Sequence, residues 1–478
     1  MKILVTGATG YIGRLLAKRL NRSGYDVRVL VRDPRRLDEQ IAAFAEVVTG
    51  DALDRDSLRA ALRGVDAAYY LIHSMAAGEK KFVEMDKLAA ENFGLAAKET
   101  GLGRIIYLGG LGTEAQALSP HLASRQQTGR RLAAGGVPVT EFRAGSIIGS
   151  GSLAFEILRY LSERLPLMIC PRWVRGRTQP IAVDDVLRYL TECLDKPETA
   201  GRVLEIGGAD IISYGEMMRT YARLRGLRRF QLHLPILTPR LSAYWVGLVT
   251  PLPARIARPI ITGIRNELFC RDASARGIFP FEPLGFEEAV RRALGEHREG
   301  LMDSQRIPTP LSTKTNRRKD VTVTHAEGLI VERMEARSPA PPETIFSLIA
   351  DIPPGGRPWG DRIWRFRMFF DRLLGGRAAL RVEKHGELRE GDRVDFWRVA
   401  RLERNRLLRL AGEELRLPGR VWLQYRLAPD ASGTHISQEV YFEPKGLAGV
   451  AYWYLLYPFH RFAFRRMLRR LAREAAEL

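Results

Sequence analysis

Apolar positions along the first 230 residues alternate between short continuous runs and stretches with helical spacing. Residues 3–5 form one run, and Ile12, Leu16 and Leu20 then recur on one helical face. Further strand-like runs cover residues 25–31, 45–49, 67–72, 103–108 and 203–206. Strands that alternate with helices predict right-handed βαβ units and therefore a doubly wound parallel α/β sheet.

The pattern changes near residue 298. Residues 298–325 contain few apolar positions and little periodicity, which is typical of a linker. Strand-like runs then occupy residues 329–336, 393–402, 407–410, 421–427 and 435–442, with a helical pattern at 342–349 and a long helical pattern at the end. The sequence therefore predicts a first domain at 1–297, a linker at 298–325 and an α+β domain at 326–478.

Three glycines, Gly7, Gly10 and Gly13, lie between the first strand and the first helix. A pyrophosphate must approach the N–H groups of a helix N-terminus more closely than a Cβ permits. Glycine-rich turns also simply join elements, but this position between a strand and an amphipathic helix favours a dinucleotide site.

Arg32 follows the second strand, at the position that selects between nicotinamide cofactors. An arginine there accommodates the 2′-phosphate of NADP, whereas an acidic residue pairs with the ribose of NAD, so Arg32 favours NADP(H). The acidic residue Asp33 directly follows Arg32 and complicates this assignment. The alternative is that Arg32 is only a solvent-exposed residue at the end of the strand. Asp51 and His73 also follow strands, although a structural histidine is the favoured interpretation of His73.

Charge and cysteine content narrow the function classes. The formal charge of +20 suits an anionic partner, but arginines are scattered and no nucleic-acid-binding module accompanies them, so nucleic acid is not expected. Cys170, Cys193 and Cys270 lie far apart, which predicts neither disulfides nor a metal site, and a cytoplasmic location is expected without a signal peptide. Peripheral membrane contact is not favoured. No pattern indicates an oligomeric state.

Residues 6–13, 50–51, 143–149 and 179–186 together resemble the short-chain dehydrogenase/reductase superfamily, in its extended and atypical, NmrA-like branch. The resemblance implies a Rossmann domain with a small substrate domain. Because of Arg32, NADP(H) is the expected cofactor and NAD(H) is the less favoured one. The resemblance also implies that Asp51 meets the adenine and that Ile147 lines the nicotinamide side. The cofactor-binding residues expected are Gly7, Thr9, Gly10, Tyr11, Ile12, Gly13, Arg32, Asp51, Ala52, Leu71, His73, Gly109 and Ile147.

The sequence departs from this family at the catalytic positions. Where active members carry serine, tyrosine and lysine, this chain has Gly109 or Gly110, His121 and Arg125. In one alternative His121 exchanges a proton in a reductase acting on a hydrophobic carbonyl, enone or quinone-like compound. In the other, His121 only positions a ribose or a substrate while Arg125 binds an anionic group.

The order of elements after residue 326 resembles the helix-grip fold of the SRPBCC (START-like) superfamily. Segments 417–419 and 452–460 also resemble an uncharacterised domain fused to bacterial atypical reductases. Phe396, Trp422, Tyr425 and Tyr441 either line a cavity for an apolar ligand or form a core. These features leave two further functions open, a non-catalytic NADP(H)-sensing regulator and a carrier of a hydrophobic ligand.

Overall fold

The computed structural model describes residues 1–73, 79–112, 118–233, 247, 249–251, 263, 267–295, 302, 313–318, 321–350, 382–383, 387–394, 397–413 and 417–478. The chain divides into two compact units. The first comprises Met1–Ser162 and Pro166–Ser312, and the second comprises Glu163–Leu165 and Thr313–Leu478.

Strands and helices alternate in the first unit. Its strands are β1 (Lys2–Thr6), β2 (Asp26–Val31), β3 (Glu46–Thr49), β4 (Ala67–Tyr70), β5 (Arg104–Gly110), β6 (Val139–Ala144), β7 (Ile147–Ile148), β8 (Leu167–Cys170), β9 (Arg177–Thr178), β10 (Ile181–Ala182), β11 (Val203–Ile206), β12 (Ile212–Ser213) and β13 (Phe230–His233). Its helices are α1 (Tyr11–Arg22), α2 (Glu39–Ala42), α3 (Arg55–Leu62), α4 (Glu79–Glu99), α5 (Pro120–Ala134), α6 (Leu153–Arg164), α7 (Val183–Glu192), α8 (Tyr214–Leu224), α9 (Ser274–Ile278) and α10 (Phe286–Gly295).

The main sheet of the described first unit has seven strands in the order β11-β6-β5-β4-β1-β2-β3. Each neighbouring pair is parallel. The chain moves outward from β1 to β3 and then returns to the other side of β1 with β4. This switch leaves a crevice beyond the carboxyl ends of β1 and β4, which is where doubly wound folds bind ligands. The predicted α/β fold is confirmed.

Both faces of this sheet are covered by helices. Ile3 and Val5 pack in one core cluster with Leu16 of α1, whereas Leu4 packs in another with Leu58 of α3. All three β1 side chains are fully buried. Because successive strand residues point to opposite faces, a continuous apolar run is the expected signature of such a strand.

Strand β5 is longer than its sequence pattern indicates. The strand prediction ended at Leu108, but Gly109 and Gly110 continue the pairing with β6 opposite Arg143 and Ala144. Glycine lowers strand propensity, yet the backbone hydrogen bonds to β6 do not require a side chain. The extension carries both glycines to the edge of the sheet where ligands bind.

Smaller sheets complete the first unit beside the carboxyl ends of the main strands. β7 pairs with β10, β9 with β12 and β8 with β13. Within the described parts of the chain, no helix has both the length and the apolar character needed to cross a bilayer.

The second unit is an antiparallel sheet with a long helix against it. Its strands are β14 (Thr313–Arg318), β15 (Val321–Ala326), β16 (Leu329–Ser338), β17 (Val382–Glu383), β18 (Arg393–Val394), β19 (Trp397–Glu403), β20 (Leu407–Gly412), β21 (Gly419–Asp430) and β22 (Gly433–Pro444). Its helices are α11 (Pro342–Ala350) and α12 (Gly446–Glu477). The strand order is β14-β15-β16-β22-β21-β20-β19-β18-β17. Trp453, Phe464 and Leu468 of α12 share a core cluster with the sheet, as expected for a helix-grip α+β domain.

Part of the segment expected to be a linker is paired in this sheet. β14 lies within residues 298–325, and β15 begins within them and ends at Ala326. β14 pairs with β15, and β15 aligns Val323 with Glu332 of β16. This segment carries threonine and valine at alternate positions, and such β-branched residues favour strands even where few residues are apolar. The boundaries drawn from composition therefore do not match the strand bounds.

The structure separates the aromatic residues that were expected to line one interior. Tyr425 lies in the core cluster facing α12, whereas Trp422 pairs with Tyr441 on the opposite face of the sheet. Tyr441 is fully buried there and donates a hydrogen bond to Glu439 (2.6 Å). Residues 422 and 425 are three apart, so a strand places them on opposite faces. Phe396 lies outside the described residues.

Glu332 is a buried carboxyl group on the apolar face of the second sheet. It is 1% exposed and lies on β16 between the core residues Ile330 and Met334. Among the described residues neither carboxyl oxygen has a hydrogen-bond partner. Burial raises the pKa of Glu332 from 4.5 to about 7, although Arg461 opposes the shift. The folded chain therefore holds this proton more tightly than the unfolded chain does.

We expect this raised pKa to make the second unit less stable as pH rises from about 4.5 to 7. In that window the unfolded chain releases the proton more readily, and a pKa raised to about 7 corresponds to roughly 3 kcal/mol of lost stability above it. Glu332→Gln removes the ionisation and is expected to be more stable than the wild type at pH 8 but not at pH 4.

Guanidinium unfolding followed by tryptophan fluorescence measures this difference. Five of the seven tryptophans lie beyond residue 326, so the signal reports mainly on the second unit. Glu335→Gln, which changes an exposed carboxyl group on the same strand, is the control. A stability difference for Glu332→Gln that is the same at both pH values would contradict the assignment.

Candidate functional site

The turn between β1 and α1 depends on two close backbone contacts. Gly7 has φ +70°, and a Cβ there would lie 2.5 Å from the carbonyl oxygen of Leu71. A Cβ on Gly13 would lie 2.3 Å from the carbonyl oxygen of Gly7. Such approaches exclude side chains, so these two glycines are required by the packing of the turn itself.

Gly10 has a different role from the other two glycines. It is the N-cap of α1, and a Cβ there would meet only the Gly7 carbonyl oxygen, at 3.1 Å. No side chain caps the helix, and its first turn contains no acidic residue. The first N–H groups of α1 are therefore left for an anion, which the helix dipole also favours. Thr9, Tyr11 and Ile12 lie around this opening and are partly exposed. The arrangement fits a dinucleotide diphosphate.

Arg32 and Asp33 follow β2, next to this opening. Asp33 accepts hydrogen bonds from the backbone N–H and the Nε–H of Arg35, at 3.1 and 2.9 Å. These bonds, led by the side-chain bond, lower the pKa of Asp33. Arg32 is exposed and has no ion-pair partner among the described residues. The carboxylate of Asp33 is thus occupied by hydrogen bonds within its own turn. The guanidinium of Arg32 remains available to bind an anion of a ligand.

Asp51, Ala52 and Leu71 follow two strands of the main sheet, β3 and β4. Asp51 follows β3 and accepts a hydrogen bond from the N–H of Leu53 (3.0 Å), and Ala52 is buried beside it. Leu71 follows β4, and its N–H donates to Thr6 Oγ1 (3.1 Å). The carbonyl group of Leu71 packs closely against Gly7, so Leu71 contacts the glycine turn directly.

Three ionisable side chains form a chain of hydrogen bonds beyond the end of β4. His73 Nδ1 lies 2.8 Å from Asp86 Oδ2, and His73 Nε2 lies 3.3 Å from His121 Nδ1. Asp86 comes from α4 and is 3% exposed, while His121 comes from the first turn of α5. Ser119 caps that helix by accepting from the N–H of Leu122, and Pro120 is its first residue.

Both histidines are neutral near pH 7. Burial lowers the pKa of His73, although its hydrogen bond to Asp86 opposes the shift. Burial, together with the neighbouring His73 and Arg125, lowers the pKa of His121 to about 3. A neutral imidazole can donate and accept at once, one role for each ring nitrogen.

Arg125 lies one helical turn after His121 and is tied to β5. Its guanidinium donates to the Leu108 carbonyl and lies over the Tyr107 ring, 5.3 Å from the centroid. Tyr107 in turn donates to the Arg125 carbonyl (2.8 Å). These contacts place a fixed positive charge beside His121, which favours the neutral imidazole.

Part of the site lines one cavity of about 360 Å³. Tyr11 and Ile12 of the glycine turn line one end, and His73, His121 and Arg125 line another part. Gly109, Gly110 and Ile147 also line it. The other residues predicted to bind the cofactor are not among its lining residues: Gly7, Thr9, Gly10, Gly13, Arg32, Asp51, Ala52 and Leu71. Most other lining residues are apolar, and they include Leu122, Leu153, Ile157, Leu158, Met217, Met218 and Leu268.

Three polar residues of the site were missed by the sequence analysis. Asp86 lies thirteen residues after His73, on a helix that begins at Glu79. Ser146 and Tyr214 line the cavity, and burial raises the pKa of Tyr214. The sequence offers no signal for Asp86, because its contact with His73 arises only when α4 packs beside the end of β4.

An uncapped helix N-terminus behind a glycine turn, joined to an apolar cavity, defines a nucleotide-dependent domain of the doubly wound class. Residues 7–159 match the family described as NAD(P)H-binding. Residues 329–467 match the family described as Protein of unknown function (DUF2867). The chain therefore carries an NAD(P)H-binding domain and a separate segment that matches that second family. The predicted nicotinamide cofactor is confirmed, and the SRPBCC resemblance of the second domain stays a prediction.

Similar proteins include several reductases. The isoflavone reductase homolog IRL of Zea mays is 27% identical over 244 residues, which cover 47% of this chain and 74% of the relative. The phenylcoumaran benzylic ether reductase POP1 of Populus trichocarpa is 24% identical, covering 49% of this chain and 78% of the relative. The structure of the NADPH-dependent quinone oxidoreductase QOR2 of Escherichia coli shares the fold, with a TM-score of 0.50, 20% identity and coverage of 61% and 100%. The first unit is thus an NAD(P)H-binding, reductase-like domain.

We expect Gly7→Ala to weaken NADPH binding by at least about tenfold, because the new Cβ would displace Leu71 or the turn that presents the α1 amides. Gly64→Ala is a matched control. Gly64 has the same φ of +70°, but nothing lies within 4 Å of a Cβ there. Both variants carry the same backbone strain, so calorimetric titration with NADPH isolates the contact at Gly7. Equal weakening in both variants would contradict the role of the turn.

Proposed function

We propose that the chain is an NADP(H)-dependent reductase of a hydrophobic carbonyl, enone or quinone-like compound. The cavity carries this proposal because it joins the start of α1 to His121 through mostly apolar walls. A bound nicotinamide and a substrate would share this space, with His121 as the proton-exchanging group. NADPH, when bound, supplies the hydride.

The remaining residues hold the cofactor in this proposal. The N–H groups at the start of α1 bind the diphosphate, Arg32 binds the 2′-phosphate and Asp51 lies on the adenine side. Ile12 and Ile147 pack beside the nicotinamide. Gly109 and Gly110 leave room between β5 and the substrate, since no side chain projects there.

His121 meets the substrate as a neutral imidazole in this proposal. A proton or hydrogen bond from Nε2 stabilises the negative charge that develops on a carbonyl oxygen. The apolar walls exclude water and favour an uncharged substrate. The reductases among the curated relatives support this reaction class.

A non-catalytic NADP(H) sensor is the second candidate. It is favoured by one observation, the replacement of the serine, tyrosine and lysine of active members by Gly109 or Gly110, His121 and Arg125. A sensor binds the cofactor without turnover, so an assay of NADPH consumption separates it from a reductase. For either function we propose a reducing cytoplasmic location, which the free thiols of Cys170, Cys193 and Cys270 support.

Arg32→Ala is expected to raise the Kd for NADPH by about 10- to 100-fold, the usual cost of losing a charge-assisted contact. The Kd for NADH should change less than about twofold, since NADH has no 2′-phosphate. Arg36→Ala removes an exposed arginine from the same loop and serves as the control. Equal losses of NADPH and NADH affinity would contradict the role of Arg32.

His121→Ala is expected to lower kcat by about 100-fold or more while the Kd for NADPH stays nearly constant, because a general acid acts on the reaction and not on cofactor binding. The assay follows NADPH absorbance with menadione, 4-nitrobenzaldehyde and trans-chalcone as substrates. His233→Ala changes an exposed histidine of the same unit and is the control. Unchanged kcat in His121→Ala would remove His121 from the mechanism.

A further inference from the structure

We propose that Asp86 and His73 form a proton relay that sets the protonation of the His121 nitrogen facing the cavity. This inference rests on the reductase function proposed above and assigns Asp86 and His73 as positioning residues for it. Neither residue needs to touch the substrate, since both act through His121.

Three separate elements bring the relay together. Asp86 lies on α4, His73 follows β4 and His121 lies at the start of α5. The two contacts are 2.8 and 3.3 Å long and use both ring nitrogens of His73. His121 uses Nδ1 toward His73, and Nε2 has no partner among the described residues. His121 lines the cavity, so Nε2 is the ring nitrogen left to contact a ligand there.

The hydrogen bonds couple the tautomers of the two rings. With Asp86 ionised, His73 donates from Nδ1 to the carboxylate, so its Nε2 accepts from Nδ1–H of His121. Nε2 of His121 then carries no proton. With Asp86 protonated, each bond reverses, and Nε2 of His121 becomes a donor to the cavity. One proton on Asp86 thus decides whether His121 donates or accepts.

The relay balances the proposed reduction. The carbonyl carbon receives the hydride, and the carbonyl oxygen receives the Nε2 proton of His121. His121 Nδ1 takes the proton of His73 Nε2, and His73 Nδ1 takes the proton of Asp86. The product is the alcohol, and Asp86 is left as a carboxylate that must regain a proton before the next reduction. Both rings stay neutral throughout, in agreement with the lowered pKa values of His73 and His121.

Charged and titratable groups from each neighbouring element act on this relay. Tyr70 of β4 lies near Asp86, and Tyr107 of β5 lies near Arg125 and Asp86. Burial raises the pKa of both phenols, so they remain neutral at working pH. The Arg125 charge lowers the pKa of both histidines and so opposes an imidazolium, which leaves proton transfer through neutral rings.

Asp86→Asn tests the relay because an amide keeps the size of the side chain but cannot deliver a proton. We expect kcat with menadione, 4-nitrobenzaldehyde or trans-chalcone to fall about 10- to 100-fold, with a larger solvent deuterium isotope effect. The KM for NADPH should stay within about twofold. Glu91→Gln removes a carboxylate from the same helix, where Glu91 pairs with Arg131, and should leave all three quantities unchanged.

A second measurement uses the full chain without turnover. Histidine ring ¹⁵N shifts report the tautomer of each ring, and His121→Ala assigns the His121 signals. Asp86→Ala removes the acceptor of His73, so we expect the tautomer of His121 to change although Asp86 does not contact it. Glu91→Ala should leave the His121 signals in place.

The outcomes separate this inference from the proposed function. Wild-type protein that reduces none of the three compounds would contradict the reductase function, while a shifted His121 tautomer would still support the coupling. An active wild type with unchanged kcat and isotope effect in Asp86→Asn would overturn the relay. So would His73 signals that change in Asp86→Ala while those of His121 do not.

Discussion

The close approach of Gly13 to the carbonyl of Gly7 is the constraint on which the site depends. Only without Cβ atoms can the chain leave β1, pass over Leu71 and enter α1 within a few residues. This path leaves the first amides of α1 without a side-chain cap. Backbone N–H groups without hydrogen-bond partners at a helix N-terminus lower the stability of the fold. A bound anion that accepts their hydrogen bonds removes this loss. The turn is therefore shaped for a ligand and not for stability alone.

The topology of the sheet places the chemistry next to this turn. β4 and β5 lie on the side of β1 away from β2 and β3, so His73 and the two glycines of β5 end beside the start of α1. Helix α5 then brings His121 over the glycines, and Arg125 fixes that helix to β5. The chain has a large positive net charge, yet the residues that line the cavity are mostly apolar. Arg125, a charged lining residue, is bound to the Leu108 carbonyl. Burial thus suppresses imidazolium formation and favours neutral proton donors.

Local sequence patterns predicted the parts of the site that depend on neighbours in the chain. The glycine turn and Arg32 could be recognised because strand, turn and helix follow one another within 32 residues. Asp86 could not, because its role arises only when α4 packs beside the end of β4. His73 was assigned to the cofactor and to structure, and its contacts with both Asp86 and His121 depend on three elements that are distant in sequence. Likewise, the strand β15 could not be inferred from its apolar content, since sheet pairing uses the backbone.

The most direct test of this account is a crystal structure of the full chain with NADPH. The account predicts the diphosphate on the N–H groups that follow Gly10, the 2′-phosphate against Arg32 and the nicotinamide beside Ile147, open to the cavity that His121 lines. A nucleotide bound elsewhere, or a nicotinamide ring turned away from His121, would contradict it.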